Sequence, residues 1–208
     1  MGKPKQARRG SRALREAASA IYRDAIIDAA EQLFASGYET AKIADIAEAA
    51  ALAPATLYTY FASKESIVCA LFERLSEQLG TEIDEALASV DDASVLPAFV
   101  VGSLTFFDRH PAMFGLLEVR GISSPEIHTA LEAVQTTYFE RVARVVARAT
   151  KAGVLGTVHD DSDQVAMIVG IIGTVARMRS RRRSGTPLVE AAPSIVDCIV
   201  HGLGRRTV

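Results

Sequence analysis

At 208 residues with 49% hydrophobic side chains and a mean hydropathy of +0.18, the chain is long enough to bury a sizeable core and too apolar to be disordered. Its formal net charge of −2 does not by itself point to nucleic acid, and its longest apolar run, Val165 to Ala176, falls short of the ~20 residues a bilayer-crossing helix needs. Cys69 and Cys198 lie far apart, each inside an apolar helical pattern, which argues against a disulfide scaffold or a zinc cluster and fits a reducing cytosol.

The N-terminus is basic. Lys3, Lys5, Arg8, Arg9, Arg12, Arg15 and Arg23 stand against Glu16 alone in residues 1–23. No apolar run follows them, as a secretory signal would require, so a cytoplasmic protein is expected. Residues 1–17 read as a basic arm, either a disordered solubilising tail or a segment that neutralises phosphates or enters a minor groove. The first helix is expected from about Ala18 to Ser36, with Ile26, Ile27, Ala30, Leu33 and Phe34 as its core stripe and Gly37 as its left-handed stop.

Residues 37–64 then read as two short helices and a tight turn. Ile43, Ile46, Ala47 and Ala50 fall at helical spacing, Ala51-Leu52-Ala53 makes the turn, and Pro54 occupies a first helical position where its missing N–H costs nothing. In the helix over 54–61, Leu57 and Phe61 face the core, leaving Thr56, Thr59 and Tyr60 outside with a small Ala55 and no carboxylate. This pattern fits either an ordinary helical hairpin or a helix-turn-helix whose second helix enters a major groove.

The run Ile26-Ile27-Asp28-Ala29-Ala30, Leu33-Phe34 and Gly37-Tyr38, then Ile43-Ala44-Asp45-Ile46-Ala47, then Thr56-Leu57-Tyr58, Tyr60-Phe61 and Ser63-Lys64-Glu65 resembles the N-terminal domain of TetR-family transcriptional regulators across roughly residues 22–75. The resemblance implies an all-α fold: an N-terminal three-helix helix-turn-helix DNA-binding domain over 18–75 and a larger helical ligand-binding and dimerisation domain over 76–208. It implies that Pro54, Ala55, Thr56, Thr59 and Tyr60 face bases or sugars. Lys42, Tyr58 and Lys64 would hold phosphates, and Ala44 would offer a methyl contact. The chain departs from the family's pattern at Ala41 and Lys42, where hydroxyls are usual, at Ala51, where glycine is usual, and at Ala53, which cannot cap the helix it precedes. If residue 51 requires a positive φ, alanine is strained there.

Ser63 is a good N-cap for a fourth helix, expected to about Val90 along Ile67, Leu71, Leu75 and Leu79. From about Val95 basic residues thin out and the helices lengthen. A fifth helix carries Phe99, Leu104, Phe106 and Phe107 and ends near His110-Pro111, and a short sixth spans Met113 to Leu117. A seventh opens at Ser124-Pro125-Glu126 and carries Tyr138 and Val142. The eighth has an acidic start at Asp160, Asp161 and Asp163 and a basic end at Arg177, Arg179 and Arg181 to Arg183, which suits its dipole. The ninth starts at Pro187 or Pro193, giving about nine helices in all. The arginine cluster reads as a solvated helix end or as a site for an anion.

The eighth helix is apolar nearly all round, so it is either the centre of a monomeric core or part of an interface. The family resemblance implies a homodimer through the eighth and ninth helices, with Gly170 and Gly173 allowing close approach. Phe99, Phe106, Phe107, Met113, Phe114 and Tyr138 read as core or as the wall of a pocket for a small apolar or aromatic effector oriented by Tyr138 or His110. The histidines His110, His128, His159 and His201 show no metal-ligand spacing, and no nucleophile-elbow or phosphate-loop motif is present. No enzyme, metal or cofactor is therefore expected. The reading is a ligand-responsive regulator, most simply a repressor released from a palindromic operator. The alternative is a structural DNA-binding protein without an inducer.

Overall fold

A computed structural model describes residues 4–113, 124–156, 160–181 and 185–202, with residues 4–15 and Arg181 described by backbone alone. Among the described residues there are eight α-helices and one 3-10 helix, and no strand. The helices are α1 (Pro4–Phe34), α2 (Ile43–Ala49), α3 (Pro54–Tyr60), α4 (Lys64–Ala88) and α5 (Val95–Arg109). They continue with α6 (Pro125–Lys151), α7 (Asp161–Arg181), the 3-10 turn (Leu188–Ala191) and α8 (Ala192–His201). Of the short helix expected over Met113 to Leu117, Met113 is described and helical, while the rest, with Phe114, lies outside the described residues, as does His159.

Two boundaries differ from the sequence reading. α1 begins at Pro4, not near Ala18, so most of the basic segment continues that helix. The proline ambiguity near the C-terminus resolves into both answers. Pro187 precedes the 3-10 turn, and Pro193 sits in the first turn of α8, where a proline needs no backbone donor. The turn is held from a distance: the backbone N–H groups of Leu188 and Val189 donate to the Asp108 carboxylate on α5.

α4 is the spine of the molecule. Ser63 and Ser66 form a reciprocal capping box at its start. Ile67, Val68, Leu71, Phe72, Leu75, Leu79, Ile83 and Leu87 are buried along its length, and it packs against α1, α5 and α6. Its far end is closed by Arg148 of α6, which donates to the carbonyls of Leu87 and Val90, both at 2.9 Å, and pairs with Asp92 at 2.6 Å. Those carbonyls are among the last of a helix or just beyond it and lack intrahelical donors. One continuous core runs from Ile26 in α1 to Ile195 in α8.

α7 is only partly enclosed. Val165, Ile168, Ile172 and Ala176 are buried, but Met167 is 47% and Met178 52% exposed. Beside α8, a groove of about 420 Å³ is lined by Pro97, Val101, Val189, Ala192, Pro193, Val196, Asp197, Val200 and His201.

Candidate nucleic-acid interface and cavity

The three-helix unit is built as the spacing predicts. Ile46 and Ala47 of α2, and Leu57 and Phe61 at α3, are buried against α1. The turn closes through Leu52 N–H to the Ala47 carbonyl at 2.8 Å and Ala51 N–H to Glu48 at 2.9 Å. Ala51 has φ 54, the one positive φ at a non-glycine residue among those described. Alanine therefore occupies the left-handed region that glycine adopts freely. Ala53 precedes α3 with no side-chain cap.

The predicted contact residues divide into three groups. Pro54, Ala55, Tyr58 and Thr59 are exposed on α3, and Lys42 and Ala44 are exposed at α2. Thr56 and Tyr60 are half-buried. Tyr60 stacks on Tyr22 of α1 at 5.5 Å between ring centroids, and its carbonyl accepts from Arg23 at 2.9 Å. Arg23 also lies over the Phe61 ring at 4.3 Å. That arginine, grouped by charge with the arm, is thus a clamp between α1 and the end of α3.

Lys64 is drawn inward. Its ammonium donates to the Tyr38 carbonyl and stands 3.9 Å from the centre of the Tyr38 ring. Burial pulls its pKa below the usual lysine value, against the opposing pull of Glu39 and Glu65. The Tyr38 hydroxyl donates to Glu65 at 2.9 Å, and burial, more than that carboxylate, pushes the phenol's pKa well up. Ala41, where the resemblance implies a hydroxyl, is buried.

A cavity of about 450 Å³ opens between α4, α5, α6 and α7. Its wall is Phe72, Ser76, Leu79, Gly80, Phe107, Met113, Val134, Gln135, Tyr138, Phe139, Arg141, Val169, Gly170, Gly173, Thr174 and Arg177. Phe107, Met113 and Tyr138, expected as pocket residues, line it. Phe99 and Phe106 do not line it: Phe99 packs behind, 5.8 Å from Tyr138, and Phe106 stacks on His110 at 4.3 Å. His110 is turned away altogether, toward Glu31. The Tyr138 hydroxyl donates to the buried Ser103 at 3.3 Å, and burial pushes its pKa up to about 12 despite that bond.

Several wall residues had other readings in the sequence. Phe72 and Leu79 fall in the apolar pattern of α4, and nothing local marks which of them meets a void. Gly170 and Gly173 were expected to admit a second backbone. Within the one chain they line the cavity, and a Cβ at either would meet nothing within 4 Å. With Thr174 and Arg177 they fall at i, i+3, i+4 and i+7, a single stripe of α7 that was legible as such.

An exposed, carboxylate-free helix held by two others, one helix away from a cavity, is the arrangement of a DNA-binding regulator. The sequence profile described as bacterial regulatory proteins, tetR family, matches residues 26–71. An HTH-type transcriptional regulator of Mycobacterium tuberculosis is 30% identical over 184 residues, which span 79% of this chain and 91% of that one. The chain belongs to the TetR family and is a sequence-specific DNA-binding transcriptional regulator. It is also 26% identical over 185 residues to the fatty acid metabolism regulator protein of Bacillus subtilis, covering 87% of this chain and 95% of that one. The crystal structure of FadR from Bacillus subtilis in complex with stearoyl-CoA shares the fold, with a TM-score of 0.76, 22% identity, and coverage of 86% of this chain and 98% of that one.

Among the described residues no helix is long and apolar enough to cross a membrane.

Proposed function

We propose that the protein is a dimeric repressor that binds a palindromic operator through α2 and α3 and leaves it when an acyl effector enters the cavity. One observation carries this reading. α4 lends Phe72, Ser76, Leu79 and Gly80 to the cavity wall, while its first turn, Ser63 to Ser66, immediately follows the recognition helix. A ligand that shifts α4 therefore moves the helix that reads DNA. Lys42, Tyr58 and Lys64 would hold phosphates. Pro54, Ala55, Thr56, Thr59 and Tyr60 would face bases and sugars, and Ala44 would offer a methyl. With one of its three N–H groups on the Tyr38 carbonyl, Lys64 keeps donors for a phosphate.

We place the DNA-binding unit at residues 18–75, the effector and dimer domain at 76–208, and the working protein in the cytoplasm with the DNA. The second copy packs on the exposed faces of α7 and α8, where Met167, Met178 and the groove beside Val196 leave apolar surface uncovered. Two recognition helices then stand ~34–36 Å apart, one turn of the duplex. The fatty-acid regulator among the relatives, and the stearoyl-CoA bound in a structure of the same fold, favour an acyl chain over a compact aromatic effector.

The test is to select bound fragments from a random duplex library, then titrate dodecanoyl-CoA and dodecanoate into the complex. A palindromic product released by either compound supports the reading. A footprint indifferent to both means that the protein organises DNA without such an inducer.

A further inference from the structure

Two arginines reach the cavity, and only one of them is tied to fixed acceptors among the described residues. Arg141 is anchored to Asp84, a carboxylate that it shares with Arg144. Its Nε and Nη2 donate to Asp84 at 3.3 and 3.2 Å, and its Nη1 donates to the Thr137 carbonyl at 3.4 Å. Its guanidinium fills the space over Gly80, where an added Cβ would lie 2.3 Å from Nη2. The absence of a side chain at residue 80 is what seats it. Arg177, near the C-terminal end of α7, is half-buried, and among the described residues no carboxylate or carbonyl receives it. The end of the helix dipole tolerates a cation there. It does not supply the fixed acceptors that five guanidinium N–H groups can use.

The surroundings sharpen the contrast. Most of the wall is hydrocarbon, including Phe72, Leu79 and Met113, so a charge beside it is screened less than one in open water. Gln135 and Thr174, the latter one turn before Arg177 on the same helix, line the same cavity and can add donors. Resting on the reading of the cavity as an effector site, we propose that Arg177 is its anion receptor. The effector is then an amphiphile with a carboxylate or phosphate on Arg177 and a hydrocarbon chain along the apolar wall. Arg141, held by Asp84 and Gly80, is part of the scaffold and not of the receptor.

Full-length protein and its Arg177→Gln variant are titrated separately with dodecanoate, dodecanoyl-CoA and dodecanol by calorimetry. The parent is expected to bind one of the two anions about tenfold or more tighter than dodecanol, the order of a hydrogen bond to a charged group. Arg177→Gln is expected to erase that preference and to bind dodecanol as the parent does. Preference for dodecanoate identifies a free carboxylate, and preference for dodecanoyl-CoA alone identifies the phosphates. Equal anion affinity in parent and variant overturns the assignment while leaving the effector site standing. If none of the three binds, both the assignment and the acyl-effector reading fail. Should the glutamine variant melt early, Arg177→Lys keeps the charge, and loss of anion preference in that variant while it remains folded would also overturn the proposal.

Discussion

The imidazole Nδ1 of His110, just past the end of α5, lies 2.6 Å from the Oε1 of Glu31 on α1. The other Glu31 oxygen accepts from Arg74 of α4 at 3.0 Å, and Arg74 also donates to Asp28 at 2.6 Å. These four side chains tie the DNA-binding unit to α4 and to the end of α5, whose Phe107 lines the cavity. Glu31→Gln leaves the partly buried Arg74 guanidinium with Asp28 as its remaining carboxylate and takes the charge from beside His110, a loss of about 1 kcal/mol. Melting should fall by roughly 2–4 °C for each kcal/mol in a chain of this size. The coupling should weaken too: in a titration of the DNA complex, the variant should need more effector for the same release.

The strained turn makes a prediction of the opposite sign. A left-handed L-residue costs about 1–2 kcal/mol, and glycine gives back about 0.5–1 kcal/mol in unfolded-chain entropy. Ala51→Gly should therefore stabilise the protein by about 0.5–1 kcal/mol and raise the melting temperature by roughly 1–4 °C. Ala53→Ser should add about 1 kcal/mol by supplying the missing cap of α3. A lower melting temperature in a thermal scan of Ala51→Gly would contradict the turn geometry.

Lys64 and Tyr60 should fail in different ways when tested against DNA. Lys64→Ala is expected to weaken binding to every duplex and to reduce the salt slope by about 1, the signature of one lost phosphate contact. Tyr60→Ala should change sequence preference, and it should also loosen α3, because Tyr60 stacks on Tyr22. Tyr60→Phe separates the two effects, since it keeps the ring and removes the hydroxyl. Binding at several salt concentrations, on matched and mismatched sites, reads both.

Gly173 has no conformational need to be glycine: its φ is not positive, and a Cβ there meets nothing within 4 Å. In a helix interior it costs about 1 kcal/mol relative to a good helix former. Gly173→Leu should recover roughly that stability while filling the cavity. The expected outcome is a variant that holds its DNA at effector concentrations that release the parent, measured by fluorescence anisotropy of a labelled duplex. Normal release would show that the effector binds elsewhere.

Sequence by itself marked the helices and the missing cap at Ala53, the family resemblance made two of them a helix-turn-helix, and the strain at Ala51 followed once its φ was positive. Those features depend on residues only a few positions apart, where apolar spacing, a proline at N1 and a left-handed turn act locally. Tertiary structure alone decided which residues of each apolar stripe meet a void and which meet one another. Phe72 and Phe99 look alike in sequence, yet one lines the cavity and the other packs behind Tyr138. His110 was a candidate ligand contact until the fold brought Glu31 to it across 79 residues. Arg23 looked like part of a basic arm until α3 brought Phe61 beneath it. Such pairings follow from how the helices cross, and crossing is set by the packing of the whole core rather than by any local pattern.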